Sequence, residues 1–127
     1  MQETRRILIV DGDHDVAEVV AYKLNNWGFG ATTAGRGELG FELAKELLPD
    51  IIVIDLLLPT ISGLELCQMI RNEPSLAHTP IIMLAKRGES DHIKRARKLG
   101  ADSILVKPLD PADLLSRINS LTRQKAS

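Results

Sequence analysis

The 127-residue chain carries 16 Lys and Arg against 17 Asp and Glu, and only 3% of its residues are aromatic. This near-neutral balance gives no general attraction to nucleic acid or to an anionic membrane, and no apolar run is long enough to span a bilayer. The length fits a single domain over residues 1–127 with no separate output domain. The single cysteine, Cys67, excludes an internal disulfide and favours a cytoplasmic location.

Apolar runs of strand length alternate with segments whose apolar residues recur every three or four positions, the period of a helix packed on one face. In chain order, strands are predicted at Arg6–Val10, Phe29–Thr33, Ile51–Asp55, Pro80–Ala85 and Ile104–Val106. A helix follows each strand, the first over residues 14–26. The predicted apolar stripes of the five helices are Val16, Val20, Leu24 and Trp27; Leu39, Leu43 and Leu47; Leu66 and Ile70; Ile93, Ala96 and Leu99; and Leu114, Ile118 and Leu121.

Residues that stop or start helices mark the boundaries between these segments. Gly28 ends the first helix, Pro49 ends the second and Gly100 ends the fourth. Ser62 is predicted to cap the third helix, and Pro111 fits the first position of the fifth. The chain therefore reads as five consecutive strand–helix units.

Five strand–helix units in a row indicate an α/β fold, with a parallel five-stranded sheet and helices on both faces. The doubly wound, flavodoxin-like arrangement for this number of units has the strand order 2-1-3-4-5, which places strands one and three side by side. Asp11 and Asp55 end those two strands, and Lys107 ends the fifth. We therefore expect the three side chains to meet at the carboxyl edge of the sheet, where such folds bind ligands.

This set of charges has a specific chemistry. Two carboxylates at one sheet edge repel each other, and a hard cation with oxygen ligands, typically Mg²⁺, relieves the repulsion. A carboxylate beside such a cation can act as a nucleophile toward phosphorus and form an acyl phosphate. A nearby lysine ammonium would neutralise the phosphoryl charge. Asp11, Asp55 and Lys107 together therefore predict an aspartate that accepts a phosphoryl group.

Three motifs give the chain its resemblance to a known family. They are Ile7-Leu8-Ile9-Val10-Asp11, Asp55-Leu56-Leu57-Leu58-Pro59 followed by Gly63, and Lys107-Pro108. With these motifs in a chain of five strand–helix units, the protein resembles a response-regulator receiver domain over essentially its whole length. The resemblance implies a signalling module that is not an enzyme. Such a module takes its phosphoryl group from a histidine kinase or a histidine phosphotransfer protein.

The resemblance also implies roles for single residues. Asp55 would be the phosphoacceptor and Lys107 the lysine that contacts the phosphate. Asp11, Asp55 and the backbone carbonyl of Leu57 would bind Mg²⁺. A cis peptide bond is expected between Lys107 and Pro108, because cis bonds cost least before proline. A downstream protein would bind the face formed by the fourth helix and the fifth strand.

The sequence departs from the family pattern at four positions. Gly12 stands where relatives have a second acid that binds the metal directly, and Asp13 comes one position later. Ala85 replaces the Ser or Thr that hydrogen-bonds the phosphoryl group, and Lys86 replaces a small residue. Ile104 replaces the aromatic residue of the conformational switch. We therefore expect weak Mg²⁺ binding and a reduced conformational response to phosphorylation.

These departures keep other hypotheses open. A pseudo-receiver would have the same fold and bind proteins without being phosphorylated. A phosphatase of the haloacid-dehalogenase type would use Asp11 as the nucleophile and Asp13 as the general acid, although the chain lacks a suitable second acidic pair. Asp11 could instead cap the first helix. Asp13 and Asp15 fit as acidic partners of that helix's dipole, with Asp13 as an alternative metal ligand.

The remaining polar and reactive residues fit structural or surface roles. Cys67 is expected to be a small core or boundary side chain. His14, His78 and His92 lack the spacing of metal ligands and are expected at the surface. The basic run of the fourth helix is mainly a solvated face that can also shape the choice of partner. Its members are Lys94, Arg95, Arg97 and Lys98.

Overall fold

The structure, a computed structural model, describes residues 4–126, with side chains described as far as Thr122. Strands and helices alternate throughout this range, as the sequence predicts. The strands are β1 Arg6–Val10, β2 Gly30–Ala34, β3 Ile51–Asp55, β4 Ile81–Ala85 and β5 Ser103–Val106. The helices are α1 His14–Asn26, α2 Gly37–Leu47, α3 Gly63–Asn72, α4 Ser90–Lys98 and α5 Pro111–Ala126.

The five strands form one parallel sheet in the order β2-β1-β3-β4-β5, so the predicted doubly wound topology is confirmed. The strand order reverses between β1 and β3, whose register pairs Ile7 with Ile51 and Val10 with Ile54. This register brings the ends of the two strands level. The residues that follow them therefore lie together at the carboxyl edge of the sheet.

The core consists of two aliphatic layers, one on each face of the sheet. One layer packs the sheet against α2, α3 and α4, and the other packs it against α1 and α5. Both central strands, β3 and β4, are buried along their whole length. A charged residue at the end of such a strand is held rigidly and out of bulk water, as the buried Asp55 is.

Helix boundaries follow local chemistry in the predicted way. The Ser62 hydroxyl accepts a hydrogen bond from the Glu65 N–H at 3.1 Å, so it caps α3. Pro111 is the first residue of α5. Gly28 and Gly100 follow α1 and α4 with φ of 97° and 109°, a conformation that favours glycine.

Sequence predictions about strand bounds and packing were wrong at several positions. The fourth strand begins at Ile81 rather than Pro80, and the fifth at Ser103 rather than Ile104. The second strand runs over Gly30–Ala34 rather than Phe29–Thr33. Trp27 and Leu39 are 45% and 40% exposed rather than part of the apolar stripes of α1 and α2. The reason on α2 is close packing, since a Cβ atom at Gly40 would lie 2.8 Å from the Val10 side chain. Small residues therefore face the sheet, and larger neighbours turn outward.

Smaller expectations are confirmed. Cys67 is fully buried in the core, and all three histidines are exposed. The predicted apolar stripe of α1 is an exception: of its members only Leu24 is buried, Val16 and Val20 are partly buried, and the other buried residues are Ala17 and Ala21. Within residues 4–126, no helix combines the length and the apolar composition needed to cross a membrane.

Candidate functional site

Asp11, Asp55 and Lys107 meet at the carboxyl edge of the sheet, as the sequence predicts. The Lys107 ammonium donates to Asp55 Oδ2 at 3.0 Å and to Asp11 Oδ2 at 3.2 Å. Asp11 is 2% exposed and Asp55 is 6% exposed. The lysine therefore bridges two buried carboxylates, and the three groups together carry one excess negative charge.

Backbone groups hold the other carboxylate oxygens. Asp11 Oδ1 accepts from the Asp13 N–H at 2.9 Å, and Asp55 Oδ1 accepts from the Leu57 N–H at 3.3 Å. The Asp11 N–H in turn donates to the Ala34 carbonyl of β2 at 3.0 Å, which extends the sheet by one residue. Both carboxylates are thus oriented by the turn that follows their strand.

The charge state of the site reflects burial and mutual repulsion. Burial raises the pKa of Asp55, and the neighbouring Asp11 raises it further, while Lys107 opposes both effects. For Lys107, burial alone would lower the pKa, but hydrogen bonds and charge from Asp55 and Asp11 outweigh burial and raise it. The lysine is therefore firmly protonated. The surroundings of Asp55 disfavour its ionised form.

The donor set fits a hard cation but offers few protein ligands. Asp11, Asp55 and the Leu57 carbonyl are all oxygen donors, and Mg²⁺ commonly binds one or two carboxylates and keeps several waters. Within the described part of the chain, no group of three or more His, Cys, Asp or Glu residues is arranged to hold a metal ion. Any Mg²⁺ at this edge would therefore depend on the two strand-end carboxylates.

The two residues after Asp11 do not replace the missing acid. Asp13, rather than Asp11, is the N-cap of α1, and its Oδ1 accepts from the Val16 N–H at 3.2 Å. Gly12 is exposed, and a Cβ atom there would lie 3.2 Å from Pro59 Cδ. Space for a side chain at position 12 therefore exists once the proline ring shifts by a few tenths of an ångström.

The loop between β3 and α3 holds the acceptor tightly. A Cβ atom at Gly63 would overlap the carbonyl oxygen of Asp55, so only glycine permits α3 to begin this close to the strand. Thr60 has a φ of 68°, which is unusual for a β-branched residue. Its hydroxyl bonds the Glu38 carboxylate at 2.6 Å and so ties the loop to α2.

The two altered switch residues, Ala85 and Ile104, are apolar side chains at the edge of the core. Ala85 ends β4 and is fully buried, and Ile104 on β5 is half-buried against the α2–α4 layer. The Lys107–Pro108 peptide bond is cis, as expected from the resemblance. Neither switch position carries a group that can hydrogen-bond a phosphoryl oxygen through its side chain.

Sequence reasoning missed an apolar groove beside the site. It lies between α1 and the segment after β5 and has a volume of about 400 Å³. Lys107 lines this groove and also bridges the carboxylates of Asp11 and Asp55. The sequence signal was Val19, an apolar residue outside the predicted core stripe of α1. In the structure its side chain is 56% exposed. The groove lining is Asp15, Val16, Val19, Val20, Lys23, Lys107, Pro108, Leu109 and Pro111.

A sequence model of the response regulator receiver domain matches residues 7–119. The chain belongs to the response regulator receiver family. Receiver domains are signalling modules rather than typical enzymes, and they generally accept phosphate on an aspartate and bind Mg²⁺ in an acidic pocket. This membership leaves the phosphatase hypothesis without support.

Curated relatives and solved structures agree with this assignment. The chain is 34% identical over 119 residues to the phosphate regulon transcriptional regulatory protein PhoB of Rhizobium meliloti, covering 94% of this chain and 52% of PhoB. It is 35% identical to the DNA-binding dual master transcriptional regulator RpaA of Synechocystis sp., covering 94% of this chain and 49% of RpaA. The chain thus spans about half the length of these curated relatives.

Among solved structures, a response regulator from Chloroflexus aurantiacus superposes with a TM-score of 0.90 at 32% identity. That match covers 95% of this chain and 99% of the other. The chemotaxis response regulator CheY4 of Vibrio cholerae superposes with a TM-score of 0.87 at 26% identity, covering 94% of this chain and 99% of the other. Both comparisons support the five-stranded doubly wound fold over nearly the whole chain.

Proposed function

We propose that Asp55 accepts a phosphoryl group from a phosphohistidine on a histidine kinase or phosphotransfer protein. The observation that carries this proposal is the bridge from Lys107 to Asp55 Oδ2 at 3.0 Å at the end of a fully buried strand. A carboxylate oxygen of Asp55 attacks phosphorus, the phosphorus–nitrogen bond breaks, and the imidazole leaves. The product is an acyl phosphate on Asp55.

The surrounding residues fit this transfer. Lys107 is held protonated by the two carboxylates, so its charge is in place to offset that of the incoming phosphoryl group. The Leu57 N–H orients the second oxygen of Asp55. Asp11, Asp55 and the Leu57 carbonyl would bind Mg²⁺, which would reduce the repulsion among the anionic groups. Because Gly12 supplies no carboxylate, we propose that this binding is weak.

Intact mass spectrometry after incubation with Mg²⁺ and a small phosphodonor tests the proposal. Wild-type protein should gain one phosphoryl group, and Asp55→Asn should gain none. Asp13→Asn is the matched control, because it removes an exposed acid near the site that the proposal does not use for acceptance. If the wild type stays unmodified with small donors and also with a competent kinase, Asp55 is not an acceptor.

For the phosphodonor protein, we propose docking on the apolar groove between α1 and the segment after β5. A protein donor must bring its phosphohistidine to Asp55, so it must contact surface that adjoins the site. The groove adjoins the site through Lys107, and its apolar lining includes Val16, Val19 and Leu109. A helix of the donor that presents an apolar face would bury this lining.

Comparing two kinds of donor separates docking from chemistry. Val19→Glu should slow phosphorylation by a protein donor by about tenfold or more, as expected when an interface residue of this kind is lost. Phosphorylation by a small donor should be unchanged. Leu39→Glu is the control, because Leu39 is also a helical and partly exposed apolar residue but lies on α2. Equal effects of the two variants on phosphorylation by the protein donor would exclude the groove as its docking site.

The alternative function is a docking module that works without phosphorylation. Ala85 and Ile104 favour it, because neither can pass a phosphoryl contact to α4. In both functions we propose that a downstream protein binds the face of α4 and β5. The exposed basic residues there favour an acidic partner surface. They are Lys94, Arg95, Arg97 and Lys98.

Hydrogen exchange distinguishes the two functions. With the switch contacts missing, phosphorylation should change amide protection little over residues 85–106, apart from a local change in the loop 86–89, because a ligand shifts an equilibrium only by its differential interaction with two states. Partner affinity should then be nearly the same with and without phosphate. A large change in protection would mean that another group relays the signal. A cytoplasmic location stays a prediction.

A further inference from the structure

The backbone at the end of β4 presents, beside the acceptor site, an N–H donor that the sheet does not use. Leu56 N–H donates to the Leu84 carbonyl at 2.9 Å, which is a rung between β3 and β4. In a parallel ladder the next rung would take the Lys86 N–H to the Leu56 carbonyl. That carbonyl instead accepts from the Gly63 N–H at 2.9 Å, because the chain turns into α3.

The direction of this N–H follows from the peptide plane. The Ala85 carbonyl accepts from the N–H of Lys107, the residue that follows β5, at 2.7 Å, so it points toward the β5 side. In a trans peptide the carbonyl and the following N–H point in opposite directions. The Lys86 N–H therefore points toward β3, at the level of the residue that follows Asp55. A phosphoryl group on Asp55 would meet a donor on this side.

In the unmodified protein this donor already has an anionic partner. Glu89 Oε1 accepts from the Lys86 N–H at 2.7 Å, and Glu89 Oε2 lies 3.2 Å from His92 Nδ1. Although Glu89 is the N-cap residue of α4, its side chain makes no capping hydrogen bond to that helix. The Glu89 side chain is only 15% exposed. The carboxylate is thus turned back from its own helix toward the site.

We propose that Glu89 is an internal anionic competitor for the Lys86 N–H, which a phosphoryl group on Asp55 must displace. This inference rests on the proposed phosphorylation of Asp55. Two anions cannot share one N–H donor at hydrogen-bond distance without strong repulsion, so phosphorylation forces the Glu89 carboxylate away. Its release would loosen the loop between β4 and α4. The carboxylate therefore slows phosphorylation and couples it to that loop, where Ala85 provides no hydroxyl to do so.

The test compares phosphorylation rates of variants of the 127-residue chain with a small phosphodonor and Mg²⁺. Glu89→Gln keeps the shape and an acceptor oxygen but removes the charge, and it should raise the rate about fivefold, the difference between a charged and a neutral acceptor. Asp91→Asn removes an acid from the same helix turn and should change the rate by less than about twofold. Circular dichroism checks that both variants are folded.

The Lys86 amide resonance gives a second readout by NMR. In the unmodified protein it should shift in Glu89→Gln and stay in place in Asp91→Asn. Faster phosphorylation of Glu89→Gln alone, with this shift, supports the competitor. Equal rates in all three proteins, or an unmoved Lys86 resonance, overturn it while leaving phosphate acceptance intact. If none of the proteins is modified at Asp55, the proposed function fails and the competitor falls with it.

Discussion

The excess negative charge of the site predicts that a neutral residue in place of the acceptor stabilises the unmodified protein. We expect Asp55→Asn to raise the free energy of unfolding by about 1–2 kcal/mol at neutral pH, since buried ions are often replaced without loss. Lys107→Met should have the opposite effect and lower it by about 3 kcal/mol, because it leaves two buried carboxylates without their shared cation. The two changes remove charges of opposite sign from the same bridge.

The distances set the size of these effects. Both carboxylate oxygens lie within 3.2 Å of the Lys107 ammonium, so they are at most about 6 Å apart. At an effective dielectric constant of about 20, two charges at that distance repel by roughly 3 kcal/mol, while each attraction to the lysine is about 5 kcal/mol. Burial of the Asp55 charge adds several kcal/mol of lost hydration. Repulsion and burial together therefore slightly exceed the attraction that Asp55 gains.

The dependence on pH has a definite sign. Because the pKa of Asp55 is raised above its ordinary value of 3.8, the folded wild type holds this proton more tightly than the unfolded chain. Its stability relative to Asp55→Asn must fall as the pH rises from 3.8 through the raised value. The advantage of the variant should thus be full at neutral pH and vanish on acidification.

Urea unfolding followed by far-ultraviolet circular dichroism, at a series of pH values, measures the free energy of unfolding of each variant and its dependence on pH. Asp11→Asn serves as the comparison, since Asp11 shares the same lysine. An Asp55→Asn variant that is less stable than the wild type at neutral pH would refute the charge argument. So would an advantage that grows as the pH is lowered.

Three further substitutions test the loops around the site. Gly12→Asp should tighten Mg²⁺ binding by about tenfold or more, measured by isothermal titration, because a shift of the Pro59 ring by a few tenths of an ångström makes room for a new carboxylate ligand; unchanged affinity would mean that the new carboxylate does not reach the ion. Thr60→Ala should lower the free energy of unfolding by about 1 kcal/mol, because it removes the hydroxyl that bonds the Glu38 carboxylate; urea unfolding decides this. Gly63→Ala should lower it by more than about 3 kcal/mol, because the added methyl group overlaps the Asp55 carbonyl oxygen; a smaller loss in the same assay would show that α3 can move away.

The fold and the central triad were predictable because they depend on features that a sequence displays directly. The run Ile51–Ile54 is apolar without interruption and of strand length, which is typical of a sheet buried on both faces. Once the strands are known to be parallel, topology alone brings Asp11, Asp55 and Lys107 to one edge. No knowledge of side-chain packing is needed for either conclusion.

The errors and omissions depend on packing and on backbone direction. The helix faces of Trp27 and Leu39 were mispredicted because large apolar residues normally face the core, while here Ala and Gly let the helices approach closely. The contact of Glu89 with the Lys86 N–H was missed because an acid before a helix ordinarily caps that helix. Only the path of the loop between β4 and α4 shows that the Glu89 side chain turns away from its own helix.

The exposure of Trp27 has a practical consequence for anyone who studies this protein in solution. It is the chain's single tryptophan, and it is 45% exposed where α1 ends, at the opposite end of that helix from the acidic pocket. Its indole already meets water in the native state, so its emission spectrum should change little when the core is disrupted or when the pocket is filled. Intrinsic fluorescence is therefore a poor reporter here. A tryptophan introduced at the exposed Leu57, beside the acceptor, would give the pocket an optical signal of its own.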